Sequence, residues 1–441
     1  MSLEKTLEYI HKVKWQGMKP GLERTNELLA ALGNPHKSLK FVHIAGTNGK
    51  GSTAACIAAV LQMAGYRTGL YTSPYIHSFN ERMQINGEYI TDDELIEMTD
   101  RVRPHADNMS DAPTEFELIT SLAMLYFLHK ECDIVVLEVG MGGELDSTNV
   151  IDVPEVAVIT LIGYDHVKEL GPTIEDIARA KAGIIKGGDV VVYDDVPDVK
   201  AVFECVAAKK NARLRVADFS RISNEKFSLS ESNFIFEPYG EISLPLVGTY
   251  QPKNAAVAIT ALEVLREKGY TITDGDIVDG LKSVRWQGRF EVLGHDPVFI
   301  LDGAHNPQGI EAVSLSLEHY FKDRKIVFIL GVMADKDIDS MILPIVPLAK
   351  AFVTVRPNNP RAMSEVELAK KLFAHNVPAA PFSSISAGVE NAIKLAGEDG
   401  IVCAVGSLFL SGDIRKAYEE LGVRSLCVLS RRIVGPVDYQ K

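Results

Sequence analysis

No apolar run in this 441-residue chain approaches the ~18 residues that a membrane-spanning helix needs. Its start, MSLEKTLEYIHKVKW, mixes charged with apolar residues where a secretion signal would be continuously apolar, which predicts a cytosolic protein. Cysteine is scarce. The five present (Cys56, Cys132, Cys205, Cys403, Cys427) form no C-x-x-C pair, so reduced and mostly buried thiols are expected, with neither a zinc site nor a disulfide framework. Positive charge is also in deficit: 46 Lys+Arg stand against 59 Asp+Glu, a formal charge of −13. That balance argues against a nucleic-acid or anionic-membrane surface, and any anionic ligand requires cations concentrated locally. Low-complexity tracts and fixed-period repeats are missing as well. What is present is an ordinary core-forming composition, 46% hydrophobic and 24% charged, over a length that suggests two or three domains.

From residue 40 to about 220, short β-branched runs alternate with longer helical patterns, as in α/β units around a largely parallel sheet. FVHIAG (41–46), DIVVLEVG (133–140) and EVAVIT (155–160) read as strands. The stretch after the first runs as a helix through Gly65, and Glu115 to Lys130 has helical period. Thr91 with Glu94, and Thr173 with Glu175 and Asp176, open further helices as capping boxes. Residues 221–247 alternate apolar and polar residues around Ser, Asn and Gly, which predicts antiparallel strands, followed by a helix from about Pro252 to Lys268. The turn-rich Gly294-His295-Asp296-Pro297 is the best boundary, giving domains of 1–293 and 294–441. Beyond it, strands at 298–302, 325–331, 350–355 and 400–405 repeat the α/β pattern.

AGTNGKGST (45–53) lies between a strand and a helix. Glycines there let backbone N–H groups close around phosphate oxygens, Lys50 supplies charge, and Ser52 or Thr53 can reach Mg²⁺. The loop departs from the general G-x-x-x-x-G-K-[ST] pattern, with Ile44 five places before Gly49 and Gly51 after Lys50. Glu138 ends a buried strand, where nucleotide-binding α/β folds place a metal-holding carboxylate. His166 in GYDH and Lys181 in KAGIIKGG gain meaning only beside these. In DGAHNPQG (302–309), Asp302 and His305 follow the apolar run VFIL, at the ligand side of an α/β sheet. Arg289 in WQGRFEV is either a surface ion-pair partner or a phosphate-binding guanidinium.

GTNGKGS, SPYIHSFNER (73–82), EVGMGGELDSTN (138–149), GYDH with KAGIIKG, GRFE, LDGAHNP and GSLFLSGDIR (406–415) occur in an order and spacing that resembles the folylpolyglutamate synthase and dihydrofolate synthase branch of the Mur-ligase superfamily. PGLERTNELLAALGNP (20–35) is also similar to this branch, and not to the peptidoglycan-building Mur ligases. The resemblance covers nearly the whole chain. It implies an α/β fold with a P-loop-containing Mur-ligase-like domain and a smaller Rossmann-like C-terminal domain. It further implies an ATP-dependent ligase that adds L-glutamate to a pteroate or folate through an acyl phosphate, working as a monomer on small molecules.

By motif position, the resemblance assigns Gly49, Lys50, Gly51 and Ser52 to the ATP phosphates, and Asn254, Arg289 and Asp302 to further ATP contacts. Ser73, Glu138 and His166 would be Mg²⁺ ligands, Lys181 would carry a CO₂-derived carbamate supporting a second Mg²⁺, and His305 would orient glutamate or the acyl phosphate. The pteroate segments would be Gly21, Leu22, Glu23 and Arg24; Thr114, Glu115, Phe116 and Glu117; and Leu145, Asp146 and Ser147, with Phe116 stacking on the flat ring. Four positions depart from the family pattern: Tyr75, Glu144, Ser147 and Tyr250. A Mur-type ligase for a non-folate carboxylate and a non-catalytic ATP-binding protein of the same fold stand as alternatives at this point.

Overall fold

The computed structural model describes residues 2–12 and 21–433, which divide into two compact units. The first comprises residues up to Leu246 together with Tyr250–Trp286, and the second comprises Val247–Thr249 together with the chain from Gln287. The turn Gly294–Pro297, expected to separate the domains, instead closes a hairpin inside the second unit: Glu291–His295 pairs antiparallel with Val298–Leu301. Turn chemistry marked a real turn, but this one joins two paired strands. Val247–Thr249 belongs with the second unit because Gly248 N–H donates to the Tyr320 hydroxyl (3.2 Å) and Thr249 N–H to Ser316 Oγ (3.1 Å).

The first unit is built on an eight-stranded sheet. Its strands, in spatial order, are Glu88–Tyr89, Met83–Ile85, Thr68–Tyr71, Ile134–Glu138, Phe41–Ala45, Val156–Ile159, Asp189–Val192 and Arg213–Val216. All pairs from Thr68–Tyr71 onward are parallel. Both faces are covered, which is why these strands read as unbroken apolar runs. Val42, Ile44, Val136 and Val158 pack on one side with the helices Lys50–Met63, Gln251–Glu267 and Asp274–Ser283. On the other side Val135 and Leu137 meet Leu118, Leu122 and Phe127, while Ala157 and Ile159 meet Ile177, Ala178 and Phe203. Capping boxes fix the helix starts, including Thr91 with Glu94, Thr114 with Glu117 and Thr173 with Asp176. Residues 222–244 form the expected antiparallel strands, Ile222–Phe227, Ser232–Phe236 and Gly240–Leu244.

The second unit holds a six-stranded sheet, parallel except for Glu291–His295 at its edge. Phe299, Leu301, Val327, Ile329 and Val402 form its core with Val389, Ala392 and Ile414. Among the described residues, no helix is long and apolar enough to cross a membrane. Cys56, Cys132 and Cys403 are buried free thiols and Cys205 is exposed.

Gly280 shows how closely the helices over the first sheet approach. A Cβ there would lie 2.6 Å from the Val60 Cα, so the Asp274–Ser283 helix sits directly on the backbone of Lys50–Met63. Gly280→Ala is therefore expected to lower unfolding free energy by about 1–3 kcal/mol in denaturant titration; an unchanged midpoint would mean that the helices part freely.

Candidate functional site

After Phe41–Ala45 the chain crosses toward one edge of the sheet, and after Val156–Ile159 toward the other. The crevice between their C-terminal ends is where open α/β sheets bind ligands. Residues 46–49 fill its rim. Thr47 and Asn48 N–H groups donate to Leu161 O at 2.9 and 3.2 Å, and the Thr47 hydroxyl bridges to Gly163. Gly49 has φ 87° and caps the helix Lys50–Met63; a side chain there would be strained, and its Cβ would sit 2.5 Å from Asn254 Oδ1. Trp286 similarly covers Gly51, where a Cβ would lie 2.8 Å from the indole. The loop thus sets the N-terminus of the helix Lys50–Met63 at this rim without a capping side chain, an arrangement that favours anions, with Ser52 and Thr53 buried in the first turn.

Two lysines converge on the loop. Lys50 Nζ donates to Gly46 O (3.2 Å) and Thr47 O (3.3 Å), and Lys181 Nζ donates to the same Gly46 O at 2.9 Å. Lys181 is only 5% exposed. Burial pulls its pKa down from 10.5 to about 7, the Lys50 charge adds to this, and Asp165 and Asp146 oppose it. Near neutral pH a large share of its amine is unprotonated, the form that can attack an electrophile.

Of the three expected metal ligands, Ser73 and Glu138 lie together: Ser73 N–H donates to Glu138 Oε2 at 3.2 Å, and Glu138 is buried at its strand end. His166 stands at φ 51° before a short helix, with ring nitrogens 3.9 Å from Asp165 and from Glu169. Among the described residues, no group of three His, Cys, Asp or Glu side chains could hold a metal by itself. A hard carboxylate with a neighbouring hydroxyl nevertheless suits Mg²⁺, which takes one or two carboxylates and completes its shell with water and substrate phosphates.

The segments expected to hold the acceptor adjoin Glu138. Phe116 lies on Gly140, whose Cβ would be 2.5 Å from the ring. Asp146 accepts Met141 N–H (2.8 Å), Thr148 N–H (3.0 Å) and the Thr148 hydroxyl (2.6 Å), which makes it the organiser of its own loop. Burial raises its pKa against those hydrogen bonds. Ser147 is buried and Leu145 is 51% exposed. Gly21 and Leu22 lead into the helix Glu23–Ala31. Arg24 there donates from Nε and Nη2 to both Glu117 oxygens, at 3.0 and 2.7 Å, and Glu117 also accepts Thr114 N–H at 2.6 Å. Arg24 and Glu117 therefore brace each other, leaving Thr114, Glu115 and Phe116 as the outward part of that segment.

In the second unit, Asp302 is buried at the end of Val298–Leu301 and accepts Phe290 N–H (2.6 Å) and Ala304 N–H (2.7 Å). This ties Arg289-Phe290 to the DGAHNP turn. Arg289 Nη1 reaches Gly288 O at 3.2 Å, and His305 Nδ1 pairs with Gly303 O at 2.8 Å. Sequence reasoning had no separate signal for Asp165 or Trp286, although each lies inside or beside a motif already singled out.

Residues 44–262 match the Mur ligase middle domain, and residues 288–408 match the Mur ligase glutamate ligase domain. Fold, phosphate loop and these matches together define a Mur-type ligase. The chain is 38% identical over 425 residues to the dihydrofolate synthase/folylpolyglutamate synthase of Bacillus subtilis, covering 92% of this chain and 97% of that protein. Mycobacterium tuberculosis folylpolyglutamate synthase complexed with ADP superposes with a TM-score of 0.88 at 30% identity, over 94% of this chain and 98% of that one. A folylpolyglutamate synthase with AMPPCP and folate superposes with a TM-score of 0.83 at 34% identity, over 95% and 100%. The chain belongs to the folylpolyglutamate synthase/dihydrofolate synthase family.

The strained, crowded position of Gly49 gives a direct test of the loop. Gly49→Ala should weaken AMPPCP binding by about tenfold or more, because the Cβ displaces the loop from its anion-binding shape. Calorimetric titration checks this, and undiminished affinity would detach the loop from nucleotide binding.

Proposed function

We propose that this chain is an ATP-dependent ligase that joins L-glutamate to the carboxylate of a folate, and also of dihydropteroate. The observation that carries this reading is the glycine loop at the end of Phe41–Ala45, on whose Gly46 carbonyl both Lys50 and Lys181 converge. A carboxylate oxygen is a poor leaving group. Attack of the acceptor carboxylate on the γ-phosphate of ATP releases ADP and forms an acyl phosphate. The amine of glutamate then attacks the acyl carbon, phosphate departs, and the nitrogen loses a proton.

Protein side chains need do little covalent work here, so positioning and charge neutralisation carry the catalysis. Gly49, Lys50, Gly51 and Ser52 hold the phosphates, and Asn254, Arg289 and Asp302 add contacts to ATP. Mg²⁺, when bound, neutralises phosphate charge; Ser73, Glu138 and His166 are its proposed ligands. Gly21 to Arg24, Thr114 to Glu117 and Leu145 to Ser147 frame the acceptor, and His305 orients glutamate or the acyl phosphate. Lys181 is suited to carbamylation: burial and the Lys50 charge favour the neutral amine that attacks CO₂, the nitrogen loses a proton, and a carboxylate able to support a second Mg²⁺ results. The protein acts as a monomer, in the cytoplasm, with no nucleic-acid or membrane partner.

Phosphate release from MgATP with L-glutamate, measured with dihydropteroate, with tetrahydrofolate and without acceptor, tests the reading. Glutamate-dependent turnover with both acceptors is expected. Silence with both would favour a non-folate carboxylate. Lys50→Ala should cut kcat/KM by about 10²-fold or more with the fold intact.

A second prediction follows from the direction of the Lys181 shift. A lysine with pKa about 7 is increasingly protonated as pH falls through that value, and the protonated amine cannot take up CO₂. Carbamylation from added bicarbonate should therefore decline below pH about 7, and acetate should partly restore Lys181→Ala. Full activity of that variant without acetate would remove the carbamate from the mechanism.

A further inference from the structure

Arg82 plays no part in the arrangement described so far, yet it is a buried cation with donors unpaired among the described residues. It ends the segment Ser73–Arg82 and is only 8% exposed. Its guanidinium carbon lies 5.1 Å from the Tyr75 ring centroid and 5.6 Å from that of Phe79. Two of its nitrogens, Nε and Nη1, are buried with no hydrogen-bond partner among the described residues. These nitrogens lie on different edges of the planar group, so each of its two donor forks holds an unused N–H. Leaving a buried charged donor unpaired is costly, so the two nitrogens call for a partner that the described residues do not supply.

The surroundings say where that ligand lies. Burial raises the hydroxyl pKa of both Tyr71 and Tyr75, the Arg82 charge opposes this at both, and Glu115 adds to it at both. Tyr71 faces Phe116 at a centroid distance of 6.2 Å, and Phe116 covers Gly140. The Tyr75 ring meets Phe79 at 5.8 Å, and Phe79 meets His11, which pairs with Glu115 at 3.3 Å. Arg82 thus belongs to the same aromatic wall as the acceptor segment Thr114–Glu117. Tyr75, against whose ring the guanidinium lies, is only half-buried.

The charges also say what kind of ligand fits. An incoming carboxylate would meet Glu115 and Asp146, both of which act on the Tyr71 hydroxyl. A flat neutral ring carrying acceptor atoms would meet no such repulsion and would lie against the aromatic side chains.

We propose that Arg82 reads the edge of the acceptor's pterin ring formed by its C4 carbonyl and N5, and so senses the oxidation state of that ring. The inference rests on the folate-type reading above. In dihydropteroate and folate, N5 is unprotonated and stands beside the C4 oxygen, so both atoms accept hydrogen bonds from one guanidinium fork. In tetrahydrofolate N5 carries hydrogen, and only the carbonyl is left for Arg82. The residue therefore favours the more oxidised rings.

The test measures the dissociation constants of 7,8-dihydropteroate, folate and tetrahydrofolate with the AMPPCP-loaded protein, for the wild type, Arg82→Met and Arg82→Lys. Arg82→Met is expected to weaken dihydropteroate and folate by about 10- to 100-fold, and tetrahydrofolate by about threefold or less. Arg82→Lys keeps charge but not the fork and should fall between, and its ratio alone suffices should the methionine variant not fold. AMPPCP affinity should be unchanged in both. An equal loss for all three ligands, or none, would overturn the inference and leave Arg82 a structural brace of its segment. Failure of the wild type to bind any of the three would instead overturn the folate reading, and this inference with it.

Discussion

Two lysine side chains share one backbone carbonyl, that of Gly46, and that crowding organises the first unit. Full positive charge on both would set like charges side by side in a region from which water is largely excluded. The buried member relieves this, since desolvation already drives Lys181 toward its neutral form and the proximity of Lys50 drives it further. Gly46 sits in a backbone conformation rarely adopted by other residues, and a Cβ there would collide with the Thr160 hydroxyl. The carbonyls of Gly46 and Thr47 face the amines: both accept from Lys50, and Gly46 O accepts from Lys181 as well.

Much of this was legible in the residues. The central strands announced themselves because both faces are covered, so that VVL and VAVI runs appear without polar interruption. Capping boxes announced helix starts because they are local, and the expected ones at Thr91 and Thr173 formed with the partners foreseen. The strands without a forecast, such as Arg213–Val216 and Ala379–Phe382, are short, lie at sheet edges and carry little buried surface, so their patterns are weak. The misplaced boundary has a related cause. A Gly-His-Asp-Pro sequence marks a tight turn, but only tertiary pairing tells whether the turn joins two domains or two strands.

Within the site, residue type was legible and partnership was not. Arg24 and Glu117 both belong to segments expected to meet the acceptor, yet they spend their charges on each other, a pairing between residues far apart in the chain. Asp302 similarly uses both oxygens to hold Phe290 and Ala304, so its placement near the motif arginine is a consequence of its own backbone contacts. Arg82 entered the sequence reading only as the last residue of SPYIHSFNER and was given no role, because one arginine among 46 basic residues looks like solvent-facing charge until its burial is seen. Long-range desolvation is the property that separates these cases, and no local pattern encodes it.

The strand Phe41–Ala45 does more than deliver the phosphate loop. His43, at its middle, is fully buried, and burial holds its pKa down at about 3, with Lys186 adding to the effect. Its Nε2 lies 2.9 Å from Thr148 Oγ1, and that hydroxyl is 2.6 Å from Asp146 Oδ1. Since the hydroxyl proton is committed to the carboxylate, the imidazole must donate from Nε2, which assigns its tautomer from the network. Asp146 in turn fixes Met141 N–H, and so the approach of Gly140 to Phe116. One five-residue strand therefore carries the glycine loop at its end and holds the 140–149 loop through a side chain on its face. The distance between the two loops is set by covalent geometry and three hydrogen-bonded side chains, His43, Thr148 and Asp146.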